Sequence, residues 1–232
     1  MKLSVIIPTY NESATIAEII KRVKAAPLPS NIQKEIIVVD DGSRDGTREI
    51  LKTIPDIRYI FHDQNLGKGG AVKTGFRNAT GDIVIIQDAD LEYDPNDFSA
   101  MVKPILDGKT RVTNGVRIPP KRDDRRKKSF YWISWFGNHI ITLLTNILYM
   151  HYAKEYEGCY KAFRKDLLDS IEIKTNNFDF DNELICKILK QRELIIDIPI
   201  RYLPRSYDEG KKINWRHGLL ILKTIIRTRF FD

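Results

Sequence analysis

The sequence predicts an α/β fold built on a mainly parallel sheet flanked by helices. Three observations predict it. Short β-branched apolar runs recur at Leu3 to Ile7, Ile36 to Val39 and Ile83 to Ile86, the composition of strands buried on both faces. Between them lie stretches with apolar residues at helical spacing, most clearly Ile16, Ile19, Ile20 and Val23. Each run also stops in polar or acidic residues, and the carboxyl ends of strands are where open α/β sheets bind ligands.

The elements follow in order. Leu3 to Ile7 is the first strand, stopped by Pro8-Thr9-Tyr10-Asn11. Asn11 or Ser13 is placed to cap a helix from about Ala14 to Ala25, and Pro27-Leu28-Pro29 ends it. Ile36 to Val39 runs into Asp40 and Asp41, and a turn through Gly42, Ser43 and Gly46 leads to a helix over Thr47 to Thr53. Arg58 to His62 is the third strand, and Gly67-Lys68-Gly69-Gly70 opens a helix near Ala71 to Ala79. That glycine segment fits neither G-x-x-x-x-G-K-[ST] nor G-x-G-x-x-G, so a helix entry with a solvated lysine competes with phosphate contact. Ile83 to Ile86 is the fourth strand and ends in Asp88, Asp90 and Glu92. A β-α-β-α-β-α-β order implies right-handed crossovers.

With 232 residues, 42% apolar and 30% charged, the chain is large enough for one domain and is neither disordered nor membrane-spanning by composition. Two cysteines, Cys159 and Cys186, exclude a disulfide framework, fit a reducing compartment and read as small buried apolar residues. His62, His139, His151 and His217 lack zinc-ligand spacing, and no Ser-His-Asp order is present. The apolar run at the amino terminus is too short for a signal peptide. A net charge of +7 indicates anionic partners: nucleotides, phospholipid surfaces or nucleic acid. No RNA-binding aromatic motif or helix-turn-helix pattern occurs, so nucleic acid is not an expected partner.

If the chain past the fourth strand stays extended, Asp88, Asp90 and Glu92 point to one side. Such a cluster repels itself unless a cation sits within it, and carboxylate oxygens suit Mg²⁺ or Mn²⁺. An isolated D-x-D is more often an acidic corner facing water. Here two strand ends deliver acids to one rim, and Tyr10 and Glu12, just past the first strand, complete a nucleoside pocket.

Four segments then carry a resemblance: Ser4-Val5-Ile6-Ile7-Pro8-Thr9-Tyr10-Asn11-Glu12, Val38-Val39-Asp40-Asp41-Gly42-Ser43-x-Asp45-Gly46-Thr47, Asn65-x-Gly67-Lys68-Gly69-x-Ala71 and Asp88-Ala89-Asp90. In this order and spacing they resemble family-2 glycosyltransferases with the Rossmann-like GT-A fold. Within that family they are most similar to polyprenyl-phosphate hexose synthases such as dolichol-phosphate mannose synthase. The resemblance implies inverting transfer of mannose or glucose from GDP-mannose or UDP-glucose to a polyprenyl or dolichyl phosphate. It divides the single domain, 1–232, into a nucleotide-sugar-binding half, 1–118, and an acceptor- and membrane-facing half, 119–232. It implies nucleotide contacts from Pro8, Tyr10, Glu12, Val39, Asp41, Asp88 and Ala89. A divalent ion, Mg²⁺ or Mn²⁺, would be held by Asp90 and Glu92, with Asp88 near ribose or metal; Glu92 stands where many mannose synthases carry Gln.

Arg117, after a predicted strand, matches the family's arginine near the donor diphosphate and acceptor phosphate, and Arg205, Lys211 and Lys212 match a phosphate-binding loop; a solvated basic loop is the alternative for all four. Asp90, Arg117 and Glu157 are thus the candidate catalytic residues. Glu155 and Glu157 open a family motif, Glu155 in place of Asp; either is a base or pairs with Arg117 and Lys161, and positioning is the preferred role. A lipid phosphate is already anionic and needs no strong base, whereas a hydroxyl acceptor, the alternative, does. Asp181 and Glu183 match a helix start and read as capping residues that also support the site from behind.

Membrane contact is expected from the middle of the chain. A basic run from Lys121 to Lys128 precedes Phe130-Tyr131-Trp132-Ile133-Ser134-Trp135-Phe136, the pattern of an interfacial amphipathic helix over about 130–150. Gly137, Asn138, His139, Thr142, Thr145 and Asn146 interrupt it, so it is no spanning helix, and Ser134 and Asn138 are candidate contacts to the acceptor phosphate. The stretch from His217 to Phe231 is a second basic amphipathic helix, which either closes over the core or faces the membrane. The expectation is a cytoplasmic protein attached peripherally to the cytoplasmic face of a membrane, alone or through a separate anchoring subunit.

Overall fold

The computed structural model describes residues 1–29, 31–118, 128–203 and 215–232. Seven strands form one sheet: β1 (Lys2–Thr9), β2 (Gln33–Asp40), β3 (Arg58–Phe61), β4 (Ile83–Ile86), β5 (Val112–Arg117), β6 (Lys161–Arg164) and β7 (Ile195–Ile200), in the order β3-β2-β1-β4-β6-β5-β7. All pairings are parallel except those of β6, which runs antiparallel to both β4 and β5. The β-branched runs form the central strands as expected. All four residues of β4 are buried, and each such side chain contributes about 1.5–3 kcal/mol of transfer free energy.

The helices are α1 (Ile16–Ala25), α2 (Thr47–Thr53), α3 (Lys68–Asn78), α4 (Phe98–Leu106), α5 (Lys128–Tyr149), α6 (Lys165–Asp169), α7 (Phe180–Lys190) and α8 (Trp215–Phe230). Neither Asn11 nor Ser13 caps α1. Asn11 takes a positive φ of 53°, Ser13 donates its N–H to Asp45, and the Glu12 carbonyl starts the helix by accepting from Thr15 and Ile16. Helix α3 begins at Lys68, earlier than the sequence suggested, because Gly67 takes φ 87° and releases the chain directly into the first turn. It lies close on β1: a Cβ on Gly75 would fall 2.2 Å from Ile6 Cγ2.

Helices α5 and α8 pack together and against α7. The Tyr149 hydroxyl donates to the Ile225 carbonyl at 3.0 Å, and the Thr224 hydroxyl donates to Asp179 at 2.7 Å. Among the described residues no helix is long and apolar enough to cross a membrane. The outward face of α5 nevertheless carries Ile140, Leu143 and Ile147, continued by Met150, and that of α8 carries Leu219, Ile226 and Phe230, all exposed.

Candidate active site

The rim of the sheet is built by the loops after β1 and β2, which are laced to each other. Pro8 and Val39 are register partners and buried. The N–H of Asn11 donates to Ser43 Oγ at 2.8 Å, that of Glu12 to Thr47 Oγ1 at 3.0 Å and that of Ser13 to Asp45 Oδ2 at 2.9 Å. Burial alone would raise the Asp45 carboxyl, but the hydrogen bonds from Thr47 and Ser13 outweigh it and hold the group at about 2. The loops therefore present Tyr10, 38% exposed, on a fixed backbone.

Asp41 is placed at this rim but is already engaged. Its Oδ1 accepts from the Leu66 N–H at 2.9 Å and its Oδ2 from the Gly67 N–H at 2.8 Å. His62 Nδ1 lies 2.7 Å from Oδ1 while His62 Nε2 lies 2.9 Å from Thr74 Oγ1. The carboxylate thus pins the Asn65–Gly67 turn to β2, and His62, which the sequence reading left unassigned, pins the carboxylate to α3. No local sequence signal marks that histidine; its partners lie 21 and 12 residues away.

The acidic corner after β4 departs from the expected geometry. The chain does not remain extended: it turns through Ala89 to Glu92, with Leu91 at φ 63°, so alternation no longer sets the direction of the three acids. Lys68 Nζ lies 2.7 and 3.0 Å from the two Asp88 oxygens, while Asp90 Oδ1 accepts the Glu92 N–H at 3.1 Å. Among the described residues no group of three or more His, Cys, Asp or Glu side chains converges to hold a metal. Of the expected three-acid set, Asp88, Asp90 and Glu92, Asp88 is paired with Lys68. What fits a divalent ion is Asp90 with Glu92 beside it, because Mg²⁺ typically takes one or two carboxylates and completes its shell with water and phosphate oxygens. Ala89 is buried in the same turn.

Behind this corner lies a buried ionic cluster fed by β5, β6 and α7. Lys161, fully buried on β6, donates to the Gly158 carbonyl and sits 3.7 Å from Asp181 in the first turn of α7. Burial pushes the Asp181 carboxyl up, against the pull of Lys161 and Lys68. Its Oδ1 is buried without a hydrogen-bond partner. Burial likewise raises the Glu157 carboxyl, opposed by the Asn182 amide that donates to it at 2.8 Å and by Lys161 and Arg117. Arg117, at the end of β5, pairs with Glu155 and lies with its guanidinium carbon 4.9 Å from the Tyr202 ring centroid. Of the two acids, then, Glu155 takes the arginine and Glu157 takes Asn182.

Asp181 is drawn into the cluster rather than serving only as a cap. Glu183, by contrast, fixes the neighbouring loop, accepting from the N–H groups of Lys174 and Thr175 at 3.0 and 2.8 Å. The expectations for Arg205, Lys211, Lys212, the basic residues 121–127 and Ser134 fall outside the described residues and side chains.

The sheet order, the two laced loops and the acidic corner backed by cations define a GT-A fold glycosyltransferase. Residues 4–172 match the glycosyl transferase family 2 profile, and the chain belongs to that family. It is 26% identical to a UDP-N-acetylglucosamine–dolichyl-phosphate N-acetylglucosaminyltransferase of Methanococcus voltae, over 95% of this chain and 93% of that protein. It is 30% identical to an undecaprenyl-phosphate 4-deoxy-4-formamido-L-arabinose transferase of Pseudomonas paraeruginosa over 73% of this chain, which spans 49% of that longer protein. Among solved structures, glucosyl-3-phosphoglycerate synthase from Mycobacterium tuberculosis, in complex with Mn²⁺, uridine diphosphate and phosphoglyceric acid, superposes with a TM-score of 0.76. The match covers 100% of this chain and 79% of that one at 21% identity, a likeness of fold.

Proposed function

We propose that this chain transfers a hexose from a nucleoside-diphosphate sugar to a polyprenyl phosphate, with a divalent ion at Asp90 and Glu92. The observation that carries the reading is one rim on which a carboxylate corner, Lys68 and Arg117 gather beside two rigid loops. The polyprenyl-phosphate acceptors named for the Methanococcus and Pseudomonas relatives support the acceptor class.

Pro8, Tyr10, Glu12, Val39 and Asp41 would line the nucleoside, with Asp88 and Ala89 toward the ribose. Breaking the sugar–phosphate bond places charge on the leaving diphosphate, and preorganised cations stabilise that charge as it develops. A bound Mg²⁺ or Mn²⁺ would supply further neutralisation of the diphosphate oxygens. Arg117, paired with Glu155, and Lys68, paired with Asp88, are the described cations nearest this work. Arg205 and Lys211 are assigned to the same task from sequence. Glu157 would position Arg117 and Lys161 rather than act as a base, since the acceptor phosphate is already ionised. A hydroxyl acceptor is the second reading, favoured by one observation: burial raises the Glu157 carboxyl above its ordinary value, which makes its carboxylate more basic.

The exposed apolar residues of α5 and α8, with Lys223 and Arg229 exposed on α8, support attachment to an anionic bilayer at its cytoplasmic face. A separate anchoring subunit is the other route to the same place. Product analysis tests the acceptor. Incubation with labelled UDP-glucose, GDP-mannose or UDP-N-acetylglucosamine and polyprenyl phosphate is expected to give an acid-labile glycosyl phospholipid from one donor, mannose or glucose being the expected sugar. A soluble glycoside formed without lipid would refute it.

A further inference from the structure

The chain leaving β7 crosses the acidic corner. Tyr202 forms an antiparallel bridge with Tyr93, and the Leu203 N–H donates to the Glu92 carbonyl at 2.9 Å. The Tyr202 ring lies 5.3 Å from that of Tyr93, which is itself stacked 4.9 Å from Tyr160. Tyr93 is nearly fully buried and accepts the Cys159 N–H at 3.1 Å, so the aromatic group is anchored to the sheet interior. The same Tyr202 ring lies 4.9 Å from the Arg117 guanidinium carbon.

Arg117 is also gripped by Glu155. A guanidinium paired with one carboxylate follows that carboxylate unless something else fixes its plane, and an aromatic face does so without neutralising its charge. Removing the ring takes away the face that fixes the guanidinium plane, while the Glu155 pair stays.

We propose that Tyr202 is a positioning residue of the donor site: its ring holds Arg117 in place for the diphosphate. The inference rests on the donor-site reading above and extends it to a residue outside the family-matched segment, which ends at residue 172.

Inorganic pyrophosphate, titrated calorimetrically into the metal-free protein, reads the arginine without the base or the cation. Tyr202→Leu is expected to weaken binding roughly five- to tenfold, the size of a partly desolvated cation–π contact. Tyr202→Met, which keeps side-chain bulk without the ring, is expected to lose the same amount and stands in if the Leu variant does not fold. Tyr202→Phe keeps the ring and is expected to retain most of the affinity. In an Arg117→Met background, Tyr202→Leu is expected to cost nothing further, because the two act as one unit. If the parent protein binds pyrophosphate and the ring-less variants bind it equally well, or lose the same factor without Arg117, the role of Tyr202 is overturned while the donor site stands. If the parent protein does not bind pyrophosphate, the donor-site reading falls and this inference with it.

Discussion

Replacing Glu183 by Gln is expected to cost the protein about 3 kcal/mol at neutral pH. The side chain is fully buried, 0% exposed, at the start of α7. Burial opposes its ionisation, but the Lys187 ammonium at 2.6 Å and the N–H groups of Lys174 and Thr175 outweigh that, taking the carboxyl from its ordinary 4.5 to about 2. The unfolded chain therefore takes up this proton first as the pH falls. The stabilisation is fully present above about 4.5 and is lost as the pH drops through about 2. The stability gap between the parent and Glu183→Gln should thus shrink by about 1.4 kcal/mol per pH unit across that window. At neutral pH it should appear as a fall in Tm of roughly 6–12 °C for a chain of this length.

Urea unfolding of both proteins at a series of pH values measures the gap. A gap that stays constant from neutral pH to pH 3 would show that Glu183 contributes packing and no charge linkage. The effect reaches the site because Lys174 and Thr175 lead to Asn176, whose carbonyl accepts the Gly70 N–H at 3.1 Å and stands 2.6 Å from where a Cβ on Gly67 would lie.

Two further outcomes are expected. Asp90→Ala should abolish the increase in nucleotide-sugar affinity that Mn²⁺ gives, as should removal of the metal with a chelator; calorimetric titration that retains the full increase would place the ion elsewhere. The double variant Ile147→Glu, Phe230→Glu changes side chains that are 65% and 64% exposed and should fold normally. It is expected to sediment with anionic phospholipid vesicles at least about tenfold less well, since each apolar side chain withdrawn from the interface forfeits about 1.5–3 kcal/mol. Vesicle binding unchanged by the substitution would remove α5 and α8 from the contact.

The sheet was legible because its central strands are continuous β-branched runs, a pattern few other environments select. The rim was legible for the same reason: Asp40 and Asp41 directly follow one such run, and Asp88 follows another after Gln87. What escaped the sequence was pairing at long range. The turn at Leu91 needed a left-handed residue that no glycine announced, so the acids appeared to lie in one row. For Lys68 the sequence left a solvated helix entry and phosphate contact both open, and only the fold sets Asp88 against it. Asp181 and Glu183 are two positions apart at one helix start, and nothing local says that one reaches the ionic cluster while the other ties down a loop. Strand β6 is four residues long, Lys161 to Arg164, and carries two basic residues, so its place in the middle of the sheet has no local signature.

That placement has a consequence for how the protein is made. Ile83 is matched to Arg164 across β4 and β6, and Asn114 to Lys161 across β5 and β6, so the middle of the sheet stays open until the chain returns from its longest excursion. A nascent polypeptide still lacking β6 holds two unzipped edges, and the lysine at the heart of the charged interior has not yet emerged. Contacts so distant in sequence form late. The gap between β4 and β5 therefore closes only once β6 has been made, with α7 and β7 still to follow it along the chain.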